Sequence, residues 1–388
     1  MAEQGLSLHP APLTVANSAG PLNLRLARGQ SEWDLCASDP GATAFHGWEW
    51  LTWVAPLLGC RFVPLVVHQG ATVIGLAPVL TRRRLGFFTA NVVPFHLGPV
   101  VAPEHLEETL NLLRRWARRS RVLSLELATH PTGSGPVDAF ARAGLTEVPE
   151  ETYLIDLNGR RIDVVWKSLG SDARGAVRRS VTRGVTVRTS TPDELRNLLP
   201  KVQDDVQDLE AGYAARVGAR LAEGEPPFPV RCATALIDDR PVGMSIAVGG
   251  PNAAGWLGGV LREEQQTQAN AALIWDAVEW AHAQGYDWLD MLGAPNAGIA
   301  AYKRKFKPQV LSHSVATWVA PGVAAAVKVK SRLRGATTSA RSAKARPISV
   351  SGTDLAELSG SARALKFRPH REHSVVRTRS SRRHARLR

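Results

Sequence analysis

The order hairpin, Leu-Gly-x-Val, helix, strand occurs twice in this chain, and it constrains the fold more than any other feature. In the first half, "FVPLVVHQGATVIGLAPVL" holds two β-rich runs around Gln69 and Gly70 and predicts a hairpin. "FHLGPVV" follows, then the helical run "EHLEETLNLLRRWARRS" and the alternating strand "VLSLELATH". In the second half, "ALIDDRPVGMSIAVGG" predicts another hairpin, with Val242-Gly243 in the place of Ile74-Gly75. "GWLGGVL" then echoes "FHLGPVV", "QANAALIWDAVEWAHAQG" supplies the helix and "YDWLDMLGA" the strand. Recurrence of the same order predicts two copies of one α/β unit, because each copy must bury the same kind of helix against the same kind of sheet.

Length agrees with this division. A chain of 388 residues exceeds the roughly 250–300 at which a single hydrophobic core stops growing. With 44% apolar residues and eleven Trp, most of it can offset the entropy of ordering. The expected organisation is an irregular Pro/Ala/Ser-rich segment over 1–20, a first unit over 21–150, a second over 151–321 and a tail over 322–388. In the second helix Leu273, Ala277, Trp280 and Ala281 share one side, which predicts packing on the sheet, and Gly285 provides its stop. Between the units, "SLGSDARGAVRRSVTRGVTVRT" predicts a basic helix ended by Gly184 and then a strand.

The net charge of +13 suggests a polyanion partner until it is divided along the chain. From Lys328 onward there are 17 Lys and Arg against Asp354, Glu357 and Glu372, a charge of +14, which leaves 31 against 32, or −1, for residues 1–327. The excess therefore belongs to the tail, whose Ser, Ala, Arg and Lys with few large apolar residues predict disorder. Its segments "KVKSRLRGATTSARSAKARP" and "RSSRRHARLR" hold no Phe, Trp or Tyr for base stacking, so they suit phosphate backbones such as tRNA or an anionic membrane surface, and read no sequence. The run "VATWVAPGVAAAVKV" before it is a candidate for lying on a membrane, interrupted by Pro321-Gly322.

Three cysteines, Cys36, Cys60 and Cys232, lie far apart with no spacing that would build a zinc site, and an odd number argues against a disulfide framework. No metal is expected. The N-terminus lacks the basic start and apolar run of a signal peptide, and no stretch reaches the roughly 18–20 apolar residues that span a bilayer. A cytoplasmic protein is expected, with peripheral contact at the inner membrane surface as the one membrane option.

Four segments carry a family resemblance: "TAFHGWEWLTWVAPLLG", "VIGLAPVL", "RGAVRRSVTRGVTV" and "QGYDWLDMLGAPNAGIAAYKRKFKP". A hairpin, a bulge-prone strand, a helix and a further strand resemble the GNAT acetyltransferase fold, and two in tandem resemble the Fem-type peptidoglycan aminoacyltransferases and CelD-like acyltransferases. The resemblance spans residues 22–320. It implies an α/β (α+β) architecture of two GNAT-like units, each a mixed twisted sheet flanked by helices. In that family the last segment has a Gly ending the helix, a strand ending in Asp, a glycine-containing loop, then Lys before an aromatic and a Gly. Gly285, Asp290, Gly293, Lys303 and Phe306 match, and Lys307 stands where Gly is usual.

The implied chemistry is acyl transfer from an acyl-CoA donor to an amine of a polar acceptor, such as a cell-envelope or polysaccharide precursor. An aminoacyl-tRNA-dependent transfer of the Fem type is the alternative, and a non-catalytic scaffold tethered by its tail is a third. Such transfer needs a held donor, an acceptor that loses a proton and a group that polarises the carbonyl. Lys303 is the candidate to polarise the carbonyl or hold the donor, against a solvated helix face. Asp290 is the candidate base, against an acceptor for loop amides. Tyr302 is placed to return a proton to the leaving group, against a core aromatic with a wet hydroxyl. For the donor, Gln268, Ala269 and Asn270 open the helix where a GNAT binds pyrophosphate, although "LREEQQTQANAAL" lacks the usual glycines and carries Glu263 and Glu264. For the acceptor, Asn91, His96 and Arg178 are the candidates, the last as a phosphate or uronate clamp.

Overall fold

The computed structural model describes residues 20–39, 41–84, 88–91, 97–128, 138–203, 212–294 and 296–322. The first 19 residues, His96 and the tail from 323 lie outside them. The chain begins with β1 (Leu22–Leu26), α1 (Gln30–Ala37), α2 (Trp48–Leu57), β2 (Arg61–Gln69), β3 (Thr72–Arg84), β4 (Phe88–Asn91) and β5 (Val100–Val101). There follow α3 (Leu106–Arg119), β6 (Ser124–Ala128), α4 (Ala139–Arg142), β7 (Thr146–Asp156), α5 (Ile162–Ser168), α6 (Ser171–Thr182) and β8 (Val185–Thr189). The last stretch is α7 (Pro192–Asn197), α8 (Leu199–Gln203), α9 (Tyr213–Leu221), β9 (Val230–Ile237), β10 (Arg240–Gly249), β11 (Ala253–Val260), α10 (Ala269–Ala283), β12 (Trp288–Asp290), α11 (Ala297–Arg304) and β13 (Gln309–Val319).

Both predicted hairpins form. β2 and β3 pair antiparallel with Gln69 opposite Thr72, and β9 and β10 pair with Ile237 opposite Arg240. The expected helices are α3 and α10, and Gly285, at φ 80°, closes α10 through Gly285 N–H to His282 O and Tyr286 N–H to Ala281 O. The basic helix α6 ends at Gly184 as its sequence predicts.

The strands form two sheets. One has the order β1-β2-β3-β4 with β5 on β3, and the other the order β6-β13-β7-β12-β11-β10-β9-β8. The second sheet revises the expected division at 150. β7 runs through Glu150 without a break, and β6, which belongs to the first unit by sequence, pairs with β13 at the far end of the second. β13 itself contains Val315 to Val319, so this part of the candidate membrane-surface run is a sheet strand between β6 and β7, with Ala316 and Trp318 buried.

The two halves also share a core. Trp33, Phe45, Trp50 and Leu51 of the first pack with Tyr213, Val217, Ile246 and Trp256 of the second. The rings of Trp50 and Trp53 stand 6.1 and 5.9 Å from Trp256. Truncating a Trp this buried to Ala costs about 3–5 kcal/mol, so the halves stabilise one another. All described residues fall in one compact unit, Met1–Thr337.

Candidate active site

The site forms where the eight-stranded sheet changes direction. β11 and β12 are parallel, and their registered pairing is confined to Ala253 with Leu289 and Ala254 with Asp290. Opposite β10, the register moves from Leu257 to Gly255, so Trp256 is an extra residue, a β-bulge that bends β11. Beyond Asp290 the chain leaves the sheet as a loop, and a carboxylate at such a strand end is held by whatever backbone that loop offers.

Asp290 is 6% exposed. Its Oδ1 accepts from Thr152 Oγ1 at 2.5 Å and from the Leu292 amide at 2.7 Å. Burial pushes its pKa up to about 6, against the opposing effects of those two hydrogen bonds and of the charges on Lys303 and His313. It is an acceptor for a loop amide, as one of its two readings expected, and burial raises its proton affinity.

Lys303 reaches the same loop from α11. Its Nζ donates to Met291 O at 2.5 Å, Leu292 O at 3.1 Å and Gly293 O at 2.6 Å, which engages all three of its donors. Burial lowers its pKa to about 8 while Asp290 raises it. Between the two, Leu292 is held at φ 60°, a left-handed backbone unusual for a leucine. Lys303 therefore clamps the loop, and to polarise a substrate carbonyl it would have to release one of those carbonyls. Lys307, where the family has Gly, sits at φ 50°, the conformation that favours glycine.

Tyr302 and Asn270 meet between α11 and α10. The Tyr302 hydroxyl is buried and makes no well-formed hydrogen bond, with Asn270 as its polar neighbour, and burial raises its pKa. The turn before α10, Arg262–Thr267, is closed on itself. Ala269 N–H is taken by Thr267 Oγ1 at 3.3 Å, Arg240 pairs with Glu264 at 2.6 Å and Arg183 donates to Gln266 O. Gln268, at φ 65°, leads into the helix and Ala269 is buried.

The acceptor candidates are scattered. Asn91 ends β4 and is described by its backbone, opposite Thr81. His96 is outside the described residues. Arg178 stands on the exposed face of α6, 5.8 Å over the Trp166 ring, and α6 packs against α10.

Two openings flank the loop after Asp290. A small cleft between the halves is lined by Thr43, Ala44, Leu154, Asn252, Trp288 and Asp290. A groove of about 840 Å³ runs beside Glu151, Tyr153, Gly293 and Ala300 on the α11 side. Alternation along β7 puts Thr152 and Leu154 on one face and Glu151 and Tyr153 on the other. Sequence reading missed Thr152, which lies in a strand without a motif, and Asn252, which lies in a hairpin turn. Burial pushes the Cys36 and Cys232 thiols up to about 11 and about 12, so neither is a nucleophile at neutral pH. Among the described residues no group of His, Cys, Asp and Glu is arranged to hold a metal ion, and no helix is long and apolar enough to cross a membrane.

Residues 168–304, which contain the bulge, Asn270, Asp290 and Lys303, match the family model described as acetyltransferase (GNAT) domain. The chain carries a GNAT-type acyltransferase domain. Its GNAT domain holds β8–β12 together with α6–α11, and β6, β7 and β13 complete the same sheet. Among solved structures, FemX is similar at a TM-score of 0.58 and 12% identity, over 75% of this chain and 96% of FemX. A tandem GNAT protein from the clavulanic acid biosynthesis pathway is similar at 0.50 and 15%, over 77% of this chain and 98% of that one. At these identities the likeness is one of fold, and it supports the reading of two GNAT-like units in tandem. No curated protein sequence matches the chain.

Proposed function

We propose that this GNAT protein transfers an acyl group from an acyl-CoA to a primary amine of a polar acceptor, as a cell-envelope or polysaccharide precursor would offer. The observation that carries the proposal is the buried Asp290 carboxylate, with a pKa of about 6, at the point where β11 and β12 part. In this reading Asp290 takes a proton from the acceptor amine, whose lone pair attacks the thioester carbonyl. An amide bond forms and the C–S bond breaks as the nitrogen loses its remaining extra proton, which the Tyr302 hydroxyl beside Asn270 relays to the leaving thiolate, so that Tyr302 ends neutral and the products are an amide and a free thiol. The acceptor would enter by the cleft that Asp290 lines, and the donor would lie at the start of α10, where Asn270 meets Tyr302.

One observation favours a second donor. In the closed turn Arg262–Thr267 the Ala269 amide is already taken by Thr267 and Glu263 is an exposed carboxylate, which disfavours a pyrophosphate there and suits aminoacyl-tRNA better. The leaving group would then be a ribose hydroxyl, and Tyr302 would serve it in the same way. The test is transfer of labelled acyl groups from acyl-CoA, and separately from charged tRNA, to a panel of envelope-precursor amines, with Asp290→Asn in parallel. Amide product from one donor that falls at least about 100-fold in the variant supports the proposal. Product formed at an unchanged rate by the variant removes Asp290 from the mechanism.

A further inference from the structure

We infer that Asn252 and Asp290 form a seat for a primary ammonium group in the cleft between the two halves. This deepens the amine-acylation reading and rests on it for its purpose, since the seat would hold the acceptor nitrogen before its proton is lost. Asn252 immediately precedes β11. Strand alternation places it on the same sheet face as Ala254, Trp288 and Asp290, and all of them line the cleft.

Asn252 is 5% exposed, and its Oδ1 is buried without a hydrogen-bond partner. Leaving an acceptor in that state costs about 1–3 kcal/mol, so the site is built for a donor to arrive. The charge of the lining says which donor. Asp290 supplies a carboxylate, Asn252 a carbonyl oxygen, and Ala44, Leu154 and Trp288 supply apolar walls, while among the described residues no Lys or Arg lines the cleft. A cation that only donates hydrogen bonds satisfies both acceptors, and an indole wall adds favourable contact with it. The space admits about one water-sized group, enough for an NH₃⁺ head on a narrow stem and too little for a quaternary ammonium.

The walls are fixed in place, as a selective seat requires. Gly250 lies so close to the first half that a Cβ there would sit 2.7 Å from the Ala44 Cα. The turn that carries Thr43 and Ala44 is locked by His46. Thr43 N–H donates to His46 Nδ1 at 3.0 Å, so the proton is on Nε2, which faces Gly98 O at 3.0 Å. Burial lowers the His46 pKa to about 4, and the ring stays neutral. In the seat, an ammonium gives one proton to the Asp290 carboxylate, and the nitrogen keeps the electron pair with which it attacks.

The experiment uses the full chain and two probes, methylammonium chloride and tetramethylammonium chloride at matched ionic strength, followed by melting temperature. A saturable rise with methylammonium alone is expected. Asn252→Leu should weaken it about tenfold or more, and Asp290→Asn further. Asn252→Asp, equal in size, should bind at least as tightly, whereas a residue needed only for packing would not gain affinity from an added charge. If Asn252→Leu fails to fold, Asn252→Asp alone decides between the two. No saturable rise with methylammonium, or a rise that survives both losses, overturns the seat. No acyl donor is present, so acylation activity and the seat can each fail without the other.

Discussion

Asp290 is destabilising in the state that the proposed reaction uses. Its pKa of about 6 exceeds the ordinary 3.8, so the folded protein binds this proton more tightly than the unfolded chain. Stability therefore falls as pH rises from about 4 to about 6, and the ionised group costs about 3 kcal/mol above that window. Among the described residues, the charges on Lys303 and His313 lower its pKa, but less than burial raises it. Asp290→Asn keeps an oxygen for Thr152 and the Leu292 amide while removing the charge. At pH 7.5 the variant should melt higher than the parent and turn over about 10²–10⁴-fold more slowly. A lower melting temperature would show that the charge stabilises the fold. Asp290 and Lys303 stood out as candidates in the sequence because a strand end followed by a Lys and aromatics is a family pattern. The role of Lys303 was not, since only the geometry shows three loop carbonyls converging on one ammonium. Asn252 could not be found by pattern, because its meaning lies in a partner it lacks.

At the scale of elements, the sequence showed what is periodic and local. Both hairpins, α3, α6, α10 and β12 follow from alternation, amphipathic spacing and glycine stops. β7 and β13 were missed because each packs partly against other strands and partly at an edge, which removes clean alternation, as "QVLSHSVATWV" shows. α7, α8 and α9 are 6, 5 and 9 residues long, too short for periodicity to stand out. A close contact between the halves, Gly250 against Ala44, gives a prediction at this scale. Gly250→Ala should lower stability by about 1–3 kcal/mol and widen the cleft, so that methylammonium binds more weakly while α10 and α11 keep their contacts. Unchanged melting and unchanged methylammonium binding would mean that the halves are not held by this contact.

For the whole molecule, the repeated order predicted two units, but it did not show that they would share strands. β6 and β13 pair across the chain's two halves, and the Trp50, Trp53 and Trp256 cluster joins them. A long-range pairing of this kind has no local signal. Charge divides differently from fold, since residues 328–388 carry +14 and the rest −1. Removing residues 328–388 should abolish salt-dependent binding of tRNA or anionic vesicles and leave the melting temperature within about 1 °C, because the described core makes its contacts before them. RNA binding that persists in the truncated chain would assign it to the folded part.

In the proposed reaction an acyl-CoA donor sits between α10 and α11, at Asn270. Calorimetric titration of the full chain with acetyl-CoA and a longer acyl-CoA, alongside Asn270→Ala, tests it most directly. Saturable binding that weakens in the variant is the predicted result. No heat of binding at millimolar ligand would contradict acyl-CoA as the donor.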